Sequence, residues 1–206
     1  MRALILSIGL LLAPLSAPAQ TPVPAESAGP PAVSAGDRVM GRADAPVTVI
    51  EYASLVCSHC GDWHRTVYPE LKRRFIDTGQ VRLVFRDYPT SPAPVAARAA
   101  GIARCAAPDR FYAVIGTFFD GHEALFAGGP VPAWLASGVA ASGKTQAEID
   151  ACLADPATLN GLRASMTGAT AAGVEGTPSF FVNGRAAPDR SIEGLTAAIT
   201  PLLPRR

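Results

Sequence analysis

The chain has 206 residues, 49% of them apolar, with 18 Lys and Arg against 17 Asp and Glu and a net charge of +1. So even a balance excludes the electrostatic footprint of a nucleic-acid binder or of a protein held to an anionic membrane surface. The length suits one domain with a sizeable core.

Taken in chain order, residues 1–19 read as a secretory signal peptide. Arg2 is its positive start, Ala3–Leu15 its apolar stretch, and Ala17-Pro18-Ala19 its small-residue cleavage site. Pro14 and Pro18 break the run, which argues against a retained spanning helix of about 20 apolar residues. Export to the periplasm is therefore expected. Residues 20–36, rich in Pro, Ala and Ser, are read as a flexible linker.

Val47–Ala53 is a β-branched apolar run of strand length, and Gln80–Tyr88 alternates before Pro89. Between them Trp63, Val67, Tyr68, Leu71 and Phe75 recur at helical spacing. Pro69 should kink that helix and Gly79 should end it. Strand, helix and strand in about 40 residues predict a βαβ unit with parallel strands. From Ser91 to Gly173 only helical patterns follow, with Thr145-Gln-Ala-Glu148 as a capping box and Asp155-Pro156 as an N-cap and first helical residue. Ser179–Val182 reads as a strand, Asn183-Gly184 as a tight hairpin turn, and Ile192, Leu195, Ile199 and Leu202 as the stripe of a closing helix. The order βαβ, helical block, ββα predicts an α/β domain, residues 37–90 and 174–206, interrupted by a helical domain, residues 91–173.

The chemistry lies in Cys57-Ser58-His59-Cys60. Two thiols one helical turn apart, just after a strand, can form or open a disulfide on one helix face. At a helix start, a Cys57 thiolate would meet unpaired backbone N–H groups. That field alone lowers a thiol pKa of about 8.5 by only about 1–1.5 units, so a deeper shift needs a local donor such as His59. Haem attachment is excluded because Gly61 stands where C-x-x-C-H requires histidine. Cys105 and Cys152 lie too far apart to supply the second close pair of a zinc ribbon. Copper binding by thiolate and imidazole stays open as an alternative.

Ala45-Pro46-Val47, Glu51-Tyr52-Ala53-Ser54, the C-S-H-C run and Gly176-Thr177-Pro178-Ser179-Phe180-Phe181-Val182-Asn183-Gly184 together resemble the DsbA family of exported thiol–disulfide oxidoreductases. The resemblance spans roughly residues 37–203. It implies a thioredoxin-like fold with an inserted helical domain and a redox-active Cys57–Cys60 disulfide with no further cofactor or metal. It implies Cys57 as nucleophile, Cys60 as the buried resolving thiol, and Glu51 as the buried acid that relays protons to Cys60. Pro178 resembles the family's cis-proline, with the backbone of Thr177 left to pair with an extended substrate segment. Cys105 and Cys152 resemble the second, structural disulfide of some members, whose loop closure is worth about 4 kcal/mol.

The implied partners are folding secreted proteins and a quinone-linked membrane partner of the DsbB type that restores the disulfide, with the chain itself a monomer. Only a reduced site holds a thiolate, so lowering the Cys57 pKa makes the disulfide a stronger oxidant. A disulfide isomerase or reductase of the same fold is the enzymatic alternative. His64 and His122 are read as exposed structural residues, and Trp63, Phe118, Phe119 and Phe126 as core.

Overall fold

The computed structural model describes residues 29–205. The signal peptide and the first part of the linker lie outside the described residues.

Strands β1 (Arg38–Met40), β2 (Val47–Ala53) and β3 (Val81–Asp87) share a sheet with β4 (Ser179–Val182) and β5 (Arg185–Ala187), in the order β1-β3-β2-β4-β5. β2 and β3 run parallel at its centre, and the other pairings are antiparallel. The near-continuous apolar runs of β2 and β3 are what a strand covered on both faces requires. Side chains alternate between those faces. Val47, Val49, Val81 and Leu83 pack with Trp63, Leu71, Phe75, Leu195 and Ile199. Ile50, Tyr52 and Val84 pack on the other face with Ala169, Ala172 and Phe181. β1 was not anticipated, because three residues are too few to show a period.

The helix expected to kink at Pro69 is instead two helices, α1 (Ser58–Thr66) and α2 (Tyr68–Leu71), followed by a π-helical turn at Lys72–Ile76. The break falls at Val67, which puts Pro69 in the first turn of α2. There the missing N–H has no intrahelical partner to lose. Gly79 has φ +75° and closes the turn into β3. Between β4 and β5, Asn183 and Gly184 both have positive φ, 45° and 83°, as a type I′ hairpin demands.

The inserted block consists of α3 (Ala93–Cys105), α4 (Phe111–Asp120), α5 (His122–Phe126), α6 (Val131–Ala141), α7 (Gln146–Ala154) and α8 (Pro156–Ala171). The capping box at Thr145 and Glu148 is formed on both sides, and Asp155 accepts from the Ala157 N–H with Pro156 at the first helical position. A disulfide joins Cys105 to Cys152 and so ties α3 to α7. α9 (Ile192–Ile199) is capped by Ser191 and closes the chain onto the sheet. The apolar core of the block, including Ile102, Phe111, Ile115, Phe118 and Ile149, is continuous with Leu55, Val56 and Cys60. The helical block therefore forms a wall of the turn that carries the cysteines.

Residues 31–36, part of the segment expected to be a flexible linker, lie against the sheet. Buried Arg86, on β3, donates to both carboxylate oxygens of Asp37 at 2.9 and 2.8 Å and to the Tyr52 hydroxyl at 3.1 Å. It also donates to the backbone carbonyls of Pro31 and Ala32, at 2.9 and 3.1 Å. A buried guanidinium needs its donors satisfied, and this one draws residues 31–37 onto the sheet. Val33 packs on the same face.

Candidate functional site

Cys57 stands at the junction of β2 and α1. It is the N-cap residue, with φ −86° and ψ 118°, and its carbonyl accepts the first helical bond from Gly61 at 3.1 Å. The Cys57 N–H in turn donates to the Ser54 carbonyl at 3.1 Å, which fixes the turn. Its side chain is half-buried, whereas Cys60, one turn on, is fully buried in the core shared with the inserted helices. Both are free thiols.

The chain returns to Cys57 from 120 residues away. The Cys57 sulfur lies 3.5 Å from the carbonyl oxygen of Thr177, a contact the protonated thiol makes as donor. The Thr177–Pro178 peptide bond is cis. β4 begins at the next residue and pairs antiparallel with β2, Ser179 opposite Tyr52. That register places Thr177 at the same end of the sheet as the cysteines.

These neighbours hold the Cys57 thiol down to about 5. The largest cause is the Cys60 thiol, which donates to the sulfur. Burial opposes it, and the Thr177 side chain and the backbone N–H groups of Cys60 and His59 add to the stabilisation. Cys60 moves the opposite way: burial, and then the negative Cys57 sulfur, push its thiol well above the ordinary range. Two like groups thus have divergent acidities because Cys57 accepts from the Cys60 thiol, the Thr177 side chain and N–H donors at a helix start, whereas Cys60 faces apolar side chains and the Cys57 sulfur.

His59 is exposed, and among the described residues its ring makes no hydrogen bond. Its direct contribution to Cys57 comes from its backbone N–H, not its imidazole. Glu51, on β2, is wholly buried. Its partner is His64, whose Nε2 lies 3.1 and 3.2 Å from the two carboxylate oxygens. The expectation of an exposed His64 is therefore corrected: the ring is buried, with its centroid 4.3 Å from that of Phe119 on α4. Its position four residues after Cys60 and seven after Cys57 puts it on their helix face, a spacing that could have singled it out.

His122 is corrected likewise. It is 1% exposed, and its Nε2 lies 2.7 Å from the Leu55 carbonyl oxygen. The inserted helices bury it, and no motif marks that. Phe126, read as core, is instead 53% exposed, as the last residue of α5.

A family model described as Thioredoxin matches residues 34–200. This chain belongs to the thioredoxin family. A putative protein-disulfide oxidoreductase of Rickettsia bellii is 31% identical over 177 residues, covering 81% of this chain and 64% of the relative. That of Rickettsia prowazekii is 30% identical and covers 81% and 61%. The chain thus spans a little under two thirds of the length of these relatives. Among solved structures, BdbD from Bacillus subtilis superposes with a TM-score of 0.72 at 21% identity, covering 86% of this chain and 97% of that one. The alpha-DsbA1 of Wolbachia pipientis gives 0.69 at 22% identity, covering 82% and 92%. Within the thioredoxin family, then, this chain has the DsbA-type fold, an α/β sheet interrupted by a helical insertion.

Proposed function

We propose that this thioredoxin-family chain is a protein thiol–disulfide oxidoreductase that passes a Cys57–Cys60 disulfide to the thiols of other proteins. One observation carries the reading: Cys57, at a helix start and opposite Thr177–Pro178, has its thiol held down to about 5 while the buried Cys60 stays protonated.

The chemistry follows from that asymmetry. A substrate thiolate attacks the Cys57 sulfur of the disulfide, a mixed disulfide forms, and Cys60 leaves and takes a proton. A second substrate thiolate then attacks the substrate sulfur of the mixed disulfide. The new bond joins the two substrate sulfurs, and Cys57 leaves as a thiolate. Two electrons pass from the substrate to the cysteine pair. A low pKa makes Cys57 the better leaving group, which favours the second step in the oxidising direction. The Thr177 backbone lies where an extended substrate segment would pair. Glu51 serves as the proton relay for Cys60, and His59 supplies its backbone N–H to the Cys57 thiolate.

The localisation that suits this reading is the periplasm, reached through residues 1–19, with folding secreted proteins as substrates. A membrane partner of the quinone-linked type would restore the disulfide. No helix among the described residues is long and apolar enough to cross a membrane.

The test is the redox equilibrium of the Cys57/Cys60 pair against glutathione, with oxidation of a reduced dithiol peptide measured alongside. The expected outcome is an oxidising pair whose activity disappears in Cys57→Ser. Activity surviving in Cys57→Ser, or a strongly reducing pair, refutes the oxidase reading.

A further inference from the structure

Of the three histidines, His122 is the least exposed, and the exchange chemistry makes no use of it. It opens α5, where the inserted helices press against the cysteine turn. Its Nε2 lies 2.7 Å from the carbonyl oxygen of Leu55, two residues before Cys57. A carbonyl only accepts, so Nε2 carries the hydrogen and Nδ1 keeps a lone pair in the neutral ring.

Among the described residues Nδ1 is buried without a hydrogen-bond partner. It lies directly over Gly61, the residue after Cys60, where an added Cβ would come within 2.3 Å of it. Gly61 is therefore required by the close approach of the ring. Phe119, Phe126 and Trp134 enclose the imidazole, at centroid distances of 5.3, 4.8 and 6.3 Å. One ring thus grips the backbone on both sides of the dithiol, at Leu55 before it and at Gly61 after it.

We propose that His122 is a positioning residue for the Cys57 sulfur: it clamps the turn between β2 and α1 at both ends and keeps the His59 and Cys60 N–H groups aimed at the thiolate. This rests on the reading of Cys57 as the reactive thiol.

Two features support the assignment, the contact with Leu55 and the suppressed basicity of the ring. The Leu55 contact is short, and a buried carbonyl that lost it would be left unsatisfied. Burial holds the imidazole below its ordinary range, and the Leu55 carbonyl opposes this. Of the charges facing it, Arg65 on α1 also lowers it, while Cys57 and Asp62 on α1 raise it. Asp120 at the end of α4 and Glu123 on α5 line the same cleft. At about pH 7 the ring is neutral and adds no competing charge, so its effect on Cys57 there is geometric.

The experiment uses the reduced full chain and follows the Cys57 thiolate by its absorbance near 240 nm across pH. His122→Leu removes the Leu55 contact, and His122→Gln keeps a neutral donor near the position of Nε2. Misaiming the N–H groups weakens their charge-assisted bonds to the sulfur, so the midpoint should move up by about one pH unit.

The glutathione equilibrium should shift about tenfold toward the disulfide form, a pair about 30 mV less oxidising. His122→Gln should restore most of the original midpoint. A lowered melting temperature with an unchanged midpoint and an unchanged equilibrium overturns the proposal, since that is what packing alone would produce. If His122→Leu does not fold, the ring nitrogens of the unsubstituted protein serve instead. Their 15N shifts should report an Nε2–H tautomer in both redox forms, and an Nδ1–H tautomer overturns the proposal. An unsubstituted Cys57 midpoint near 8.5 refutes the reading of Cys57 itself, a result distinct from any difference between variants.

Discussion

The acidity of Cys57 makes the stability of the reduced protein depend on pH in a defined window. Cys57 is held down to about 5 in the folded reduced chain, against about 8.5 for a thiol in an unfolded one. A depressed group contributes stability that is full above its unfolded pKa and is lost as pH falls through its folded pKa. Between those two values the contribution grows, reaching at most about 2.7 kcal/mol at pH 7. Solvent screening at a half-buried sulfur brings it to about 2 kcal/mol.

Cys60 has the opposite sign. Its folded thiol is pushed up by burial and by the Cys57 sulfur, so above about pH 8.5 the unfolded chain ionises where the folded one does not, and stability falls. The reduced protein should therefore be most stable, relative to the oxidised one, at about pH 8.5. Unfolding of both redox forms between pH 4 and 9, with a phosphine reductant for one of them, measures this difference directly. For a domain of this size about 2 kcal/mol corresponds to roughly 4–8 °C in melting temperature between pH 4 and pH 7. The same energy raises the reduction potential by about 40 mV. A difference that stays flat from pH 4 to 7 would show that no thiolate forms at the site, and the oxidase argument would fail with it.

Other outcomes follow from particular contacts. Arg86→Met strands the Asp37 carboxylate and the Pro31 and Ala32 carbonyls, so chemical denaturation should show a loss of about 3–5 kcal/mol, with faster proteolysis around residues 31–37. An unchanged cleavage pattern would mean that Arg86 does not hold that segment. The double substitution Cys105→Ser, Cys152→Ser opens a loop with a separation of 47 residues. It should lower stability by about 4 kcal/mol while leaving the Cys57 titration in place, and a shifted titration would tie this disulfide to the site. Glu51→Gln keeps the volume beside His64 but removes the carboxylate. Release of the mixed disulfide should slow severalfold in stopped-flow measurements, and an unaltered rate would exclude Glu51 as the proton relay.

Much of the site was legible because its two halves carry local chemistry. The spacing of Cys57 and Cys60 after a β-branched run signals a thiol pair at a helix start, and the resemblance of Gly176-Thr177-Pro178 and the strand after it to the DsbA family points to the loop that faces it. Both are short-range patterns, and the described strands and caps follow them closely. Pro69 shows the limit of this kind of reading. Its lack of an N–H predicts a disturbed helix but not whether the helix bends or restarts, and here the break moves back to Val67.

The buried histidines and Arg86 show what local pattern does not contain. Helical spacing tells which residues share a face with Cys57 and Cys60, but not which faces the inserted helices will cover. His64 and His122 read as surface residues until α4 and α5 close over them. Arg86 reads as the polar side of an alternating strand until residues 31–37 are drawn over it. By itself the chain determined the order of its elements, the spacing of the thiol pair and the turn at Asn183-Gly184, since each depends on neighbours within a few residues. Only the tertiary structure decided how acidic each thiol is. That depends on which donors, charges and apolar walls surround each sulfur, and these arrive at Cys57 and Cys60 from as far away as Thr177 and the inserted helices.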